Sequence, residues 1–386
     1  MKVKPADRTA SVQEYYFSQK LAQIDKMRNE GADIINLGIG SPDQPPSANT
    51  ISALAEESKK ENSHGYQSYT GIPALRKAFS EWYRKYFHVV LNPDSEILLL
   101  MGSKEGIMHI SMAFVNPGDE VLVPDPGYPT YSSVTNLVGG IVRKYDLLEK
   151  NDWQPDLESL EKSDLSKVKL MWVNYPNMPT GAKGSMELFE KLVEFSGKHN
   201  ILICNDNPYS FILNKDYKSI LSVAGAKESV LELNSLSKSH NMAGWRIGMV
   251  AGHSEYLKSI LKVKSNMDSG MFRGMQMAAV SALANPESWY DTVNDVYIKR
   301  RRIVEEIMDI LKCKYEKSQS GLFMWGRIPD DVNDCEVYIE NILEKAHVFI
   351  TPGSIFGKNG KRYIRISLCA SEKRLLEAKE RILKLN

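Results

Sequence analysis

The sequence predicts an α/β fold, with a mostly parallel central sheet carrying helices on both faces and a smaller α+β domain beside it. Three observations predict it. Short, near-continuously apolar runs recur through the middle of the chain, and longer amphipathic stretches separate them. The last third then changes to helices with few, alternating strands. At 386 residues there is enough chain for a large core and a second, smaller unit. The expected division gives 46–279 to the large domain, with 1–45 and 280–386 building the small one together.

In chain order, the runs at 96–101 (EILLLM), 120–124 (EVLVP), 169–173 (KLMWV), 200–204 (NILIC), 229–233 (SVLEL) and 247–251 (IGMVA) read as buried strands. Strands apolar at every position belong in a sheet covered on both sides. Between them, 72–87, 104–115, 186–199 and 256–264 read as helices. Further on, 287–311 reads as one long helix with a basic cluster at 299–302, and 336–345 and 372–385 as shorter ones. The segment 363–368 (YIRISL) alternates like a half-exposed strand. The first roughly forty residues are too few to fold alone and are expected to pack on the small domain.

Composition excludes several function classes. With 49 basic and 48 acidic residues the net charge is +1, which gives no electrostatic reason to expect nucleic acid or an anionic membrane as a partner. No apolar run approaches a membrane span, and the first residues carry no apolar signal core. Cys204, Cys313, Cys335 and Cys369 lie far apart without metal-ligand spacing, as expected of reduced thiols in a cytoplasmic protein. No metal site is expected.

The residues that carry chemistry centre on Ser235-Leu-Ser237-Lys238, which closes an apolar strand, with Arg246 eight residues beyond the lysine. An isolated lysine is ordinarily a solvated charge. Here it suits an amine that bonds covalently to a carbonyl cofactor, with hydroxyls and a guanidinium holding that cofactor's phosphate. In Leu99-Leu-Met-Gly102-Ser103-Lys104 a strand ends in glycine and a helix starts at once, offering backbone N–H groups to an anion; alone this is equally an ordinary N-cap. Asp206, after another strand, is costly to bury unless paired, and Tyr209 follows it; an Asx turn before Pro208 explains the aspartate as well. Tyr128 could stack on a planar ring or simply fill core. Arg365 shares a strand face with Tyr363 and Ser367 and could read a carboxylate, though a surface ion pair is the commoner fate.

Competing motifs fail. Gly38-Ile-Gly40-Ser-Pro-Asp43 lacks a dinucleotide fingerprint's third glycine, there is no Walker A loop, and no histidine accompanies a GxSxG serine. Taken in order, the motifs resemble those of the fold-type I pyridoxal-phosphate enzymes, specifically the class I/II aminotransferases, over nearly the whole chain. The resemblance implies pyridoxal 5′-phosphate as cofactor and Lys238 as its Schiff-base lysine. It implies Arg246, Ser103, Lys104, Ser235 and Ser237 at the phosphate, Asp206 at the pyridine nitrogen, Tyr209 at the phenolic oxygen and Tyr128 on the ring. Arg365 and Gly40 would meet the substrate carboxylate, and Tyr15 would face the substrate from the N-terminal arm. Tyr66 resembles a tyrosine offered to the neighbouring subunit's phosphate, which implies a homodimer; Ser269 is a looser match.

One departure stands out. The family reads Asn-Pro-Thr-Gly where this chain has Met178-Pro-Thr-Gly181, and methionine cannot donate a hydrogen bond. Asn174 or Asn177 is expected to substitute. The implied reaction is amino transfer between an L-amino acid and a 2-oxo acid, with details such as Gly102-Ser-Lys-Glu-Gly106 closest in look to the aspartate and LL-diaminopimelate branches. A carbon–sulfur β-lyase shares every residue named, and a non-catalytic regulatory protein is the alternative of another class.

Overall fold

The computed structural model describes residues 3–12, 14 and 16–385. Its strands are β1 (Ile35–Asn36), β2 (Ile97–Leu100), β3 (Glu120–Asp125), β4 (Ile141–Asp146), β5 (Val168–Val173), β6 (Leu202–Asp206) and β7 (Val230–Ser235). They continue with β8 (Gly248–Ala251), β9 (Lys314–Tyr315), β10 (Phe323–Arg327), β11 (Val348–Phe349), β12 (Thr351–Pro352) and β13 (Tyr363–Ser367). The helices are α1 (Tyr16–Asn29), α2 (Ala48–Ser58), α3 (Pro73–Phe87), α4 (Ser103–Phe114), α5 (Pro129–Leu137), α6 (Leu157–Glu161) and α7 (Met186–His199). After them come α8 (Leu236–Ser239), α9 (Ser254–Lys264), α10 (Arg273–Leu283), α11 (Glu287–Ile310), α12 (Cys335–Ala346) and α13 (Glu372–Leu383).

A seven-stranded sheet in the order β2-β8-β7-β6-β5-β3-β4 organises the middle of the chain. Strands β4, β3, β5, β6 and β7 are parallel, and only β8 runs against its neighbours. The apolar runs feed two cores by simple alternation. Leu98, Leu100, Val121, Val123, Leu170, Trp172, Leu231 and Leu233 face α4, α5 and α9. Ile97, Leu99, Leu122, Met171, Val173, Ile203 and Met249 face the other way, into the layer that holds Phe79 and Trp82 of α3 and Leu192 of α7. Each such side chain contributes about 1.5–3 kcal/mol of transfer free energy. A polar residue at any of these positions breaks one layer.

The mostly parallel sheet is as expected, with three differences in detail. The strand expected at 200–204 starts later and runs through Asp206, because Asn200 takes a left-handed conformation that closes α7. Strand β4 was not expected; its Arg143 and Lys144 sit on a polar sheet edge, so it lacks the apolar signature. Strand β13 is buried along its whole length rather than half-exposed. It lies between β10 and β12, and Arg365 stands opposite Trp325 and Thr351.

The N-terminal segment meets the last third of the chain. β1 pairs with β11, and Lys20 of α1 bonds Glu340 of α12 at 2.8 Å. Arg300, from the expected basic cluster, is buried and grips Asp43 at 2.7 and 2.8 Å, which ties the Gly40 loop to α11. Among the described residues no helix is long and apolar enough to cross a membrane.

Candidate active site

Segments just past the carboxyl ends of β2, β3, β5, β6 and β7 line one cavity of about 750 Å3, where ligands collect in open α/β sheets. Gly40, Ser103, Lys104, Tyr128, Asp206, Tyr209, Ser235, Ser237, Lys238, Arg246 and Arg365 all line it. Of the other expected residues, Asn177 and Tyr66 do not, and Tyr15 lies outside the described residues.

Lys238 sits on the single turn α8 that follows β7, and its Nζ donates to the Gly40 carbonyl at 2.7 Å. Burial lowers its pKa; Arg365 and Arg246 act in the same direction, and Cys369 opposes them. A lysine with a lowered pKa keeps more of its amine neutral and nucleophilic. The Gly40 loop can approach this closely because a Cβ there would lie 2.0 Å from the Phe323 ring.

Also at the cavity, α4 begins at Ser103 after the N-cap Gly102, whose φ of 83° and lack of a side-chain cap leave the helix N-terminus to a ligand. A Cβ on Gly102 would lie 2.4 Å from Arg246 Nη2, so glycine is what admits the guanidinium. Arg246 itself has a φ of 57° and donates to the Ala243 carbonyl at 3.0 Å. The Ser103 hydroxyl is buried and close enough to the Asp206 carboxyl to lower its pKa, and Ser235 and Ser237 are buried on the same cavity wall. Burial and the Arg246 charge lower the pKa of Lys104.

Asp206, the last residue of β6, lines the same cavity. Tyr131 donates to its Oδ2 at 3.1 Å and stacks on Trp172, with ring centroids 5.0 Å apart. Oδ1 is buried without a partner in hydrogen-bond geometry. Burial pushes the carboxyl up to about 6, against the lowering pull of Tyr131, Ser103 and Lys238. Burial likewise raises the pKa of the Tyr209 phenol. Sequence reasoning missed Tyr131, although it stands one helical turn beyond Tyr128, and that spacing was the available signal.

Arg365 is buried among aromatic rings, 3.8 Å from the Phe323 centroid, 4.7 Å from Phe356 and 5.5 Å from Phe17. It donates to the Gly38 carbonyl at 2.8 Å and meets Met178 Sδ at 3.2 Å. The methionine at the departing position therefore packs against the guanidinium. Asn174 lines the cavity, but its amide is hydrogen-bonded to the Asp206 carbonyl and the Met178 N–H. Asn177 closes its own turn, bonding the Asn174 carbonyl and Thr180. Of the two asparagines expected to substitute for the missing donor, Asn174 lies on the cavity wall and Asn177 does not.

The profile of the family described as aminotransferase class I and II matches residues 32–382. The chain belongs to that family. An LL-diaminopimelate aminotransferase of Halothermothrix orenii is 38% identical to this family member over 98% of the chain and 97% of the relative. That of Desulforudis audaxviator is 40% identical over 98% and 96%. Among solved structures, substrate-bound BacF from Bacillus subtilis superposes with a TM-score of 0.96 at 34% identity, covering 100% of this chain and 98% of that one. A mutant aspartate aminotransferase from Thermus thermophilus gives 0.92 at 26%, with both chains fully covered.

Class I and II aminotransferases are transaminases that use pyridoxal 5′-phosphate, and this aminotransferase has the groups to hold it. The unpartnered Asp206 Oδ1 suits a protonated ring nitrogen. The N-terminus of α4, with Ser103 at its first position, and Arg246 suit a phosphate, with Gly102 making the room.

Proposed function

We propose that the chain moves an amino group between an L-amino acid and a 2-oxo acid, with LL-diaminopimelate as donor, working as a cytoplasmic homodimer. The observation that carries the reaction is Lys238, an amine of lowered pKa that shares one cavity with Asp206 and Arg365. The donor rests on the relatives bearing that name at 38% and 40% identity over nearly the whole chain. The same reading divides the chain into a large domain, 46–279, and a small one built from 1–45 and 280–386.

When bound, the cofactor supplies a carbonyl that takes up amino groups and a ring that draws electrons from the donor's Cα–H bond. Arg246, Lys104, Ser103, Ser235 and Ser237 hold its phosphate, and Tyr128 and Tyr209 hold the ring. Asp206 Oδ1 keeps a proton on the ring nitrogen. Arg365 takes the α-carboxylate, with Gly40 beside it. Lys238 Nζ removes the Cα proton and delivers it to the acceptor carbon as general base and acid. The aromatic wall around Arg365 excludes water, which strengthens its grip on a carboxylate.

Among the described residues the cations lining the cavity are Lys104, Lys238, Arg246 and Arg365, each with a role above. An aspartate-type donor brings a negative side chain that wants a further cation. The distal ammonium and carboxylate of diaminopimelate cancel, which favours it over aspartate. A second reading, a donor with an apolar side chain, is favoured by Phe17, Leu21, Ile39, Phe323 and Phe356 on the same wall.

A single-turnover screen of L-amino acids, following the absorbance of the bound cofactor, tests both readings. LL-diaminopimelate is expected to react fastest, about tenfold ahead of aspartate. Phenylalanine or leucine in first place would replace the donor by the second reading. Silence with every amino acid would end the aminotransferase reading itself.

A further inference from the structure

We propose that Glu105 is a positioning residue for the cofactor phosphate, because its carboxylate locks the turn that opens α4. This inference rests on the phosphate reading of that turn given above. Glu105 occupies the third position of α4, and its Oε2 accepts the Met101 N–H at 2.5 Å. A glutamate at this position usually reaches back to the N-cap N–H. Here it reaches one residue further, past Gly102. The bond therefore fixes the chain just before the helix and does not occupy the first-turn N–H groups, which lack intrahelical acceptors.

The other carboxylate oxygen faces a buried ring. His109, one turn along α4 and 2% exposed, brings Nε2 within 3.2 Å of Glu105 Oε1. Acceptor and ring atoms of Glu105, His109 and Asp268 all lie within 4.8 Å of one another. Asp268 is fixed by Lys264 Nζ, at 2.9 and 2.8 Å to its two oxygens, and by the Gly270 N–H at 2.8 Å. Lys264 is nearly fully buried, so an ammonium of the chain itself pairs with Asp268. Glu105 thus stands behind the glycine turn, between the Met101 N–H and the buried His109 ring, where Arg246 passes at the closest approach that glycine allows. A shift of the turn by a fraction of an ångström would misalign its N–H groups and Arg246 together.

Cofactor affinity, read from quenching of intrinsic fluorescence as pyridoxal phosphate is added to the cofactor-free protein, tests this directly. Glu105→Ala removes the acceptor, and Glu105→Asp keeps the charge but falls short of Met101 N; both should weaken binding on the order of tenfold. Glu105→Gln keeps a carbonyl oxygen at the right reach and should stay within a few-fold of wild type. The 31P signal of the bound phosphate should shift in Glu105→Asp and hold in Glu105→Gln. Wild-type affinity in Glu105→Asp, or a Gln variant as weak as Asp, would overturn the proposal. Arg246→Ala separates the two layers of argument. If that variant also binds normally, the phosphate reading has failed; if only the Glu105 variants do, the positioning role has.

Discussion

Asp206 carries its own pH signature. Burial raises its carboxyl from an ordinary 3.8 to about 6, so between those values the cofactor-free fold keeps a proton that the unfolded chain releases. That contribution to stability is complete below pH 4 and disappears as pH rises through 6, a change of about 2–3 kcal/mol. Cofactor-free wild type and Asp206→Asn, unfolded thermally across this range, should therefore diverge, with wild type losing ground as the pH rises. A pH-independent difference between them would mean that Asp206 ionises normally. A protonated ring nitrogen against Oδ1 would favour the carboxylate and remove the effect in the loaded protein. Lys238, Arg246 and Asp206 stood out in the sequence because each lay close to a strand end with a distinctive neighbour, and Arg365 because it stood within an alternating strand. Tyr131 was not, since its phenol matters through Asp206, seventy-five residues away. The two turn asparagines could not be told apart in the sequence, because only the folded turn shows that Asn174 lines the cavity and Asn177 does not.

At the scale of elements, the segments with strong periodicity or unbroken apolarity were found within a residue or two. Helix α7 runs over Met186–His199 as read, capped by Ser185 and closed by Asn200. Helices α1, α2, α5 and α10 were not read from the sequence, and neither were elements whose role is set by neighbours. The polar edge strand β4 looks like loop, and β13 looks half-exposed because its alternation places Arg365 and Ser367 on a face that other elements then cover. Arg365 accordingly sits beneath an aromatic cage, where an alternating strand suggests a solvated guanidinium. The departure at Met178 is of the same kind: its thioether packs on Arg365, a contact between segments far apart in sequence.

For the whole molecule, the family and the placement of its cavity agree with what the ordered motifs implied; the homodimer is the part that needs a second copy. Tyr66 is 92% exposed, with Tyr69 and Met267 also exposed nearby in the chain and on the adjoining loop. Gly270 of that loop backs onto the Gln67 carbonyl. If Tyr66 completes a neighbour's phosphate site, mixing Lys238→Ala with Tyr66→Ala subunits should regenerate one intact site per hybrid pair. Activity should then rise above that of either variant alone. No regain after verified subunit exchange would place Tyr66 outside the partner's site.

Every role assigned above depends on where the cofactor joins the chain. Borohydride reduction of the loaded protein followed by peptide mapping reads that point directly. The account predicts the pyridoxyl mass on Lys238 alone. The same mass on another lysine, or on none, would contradict it.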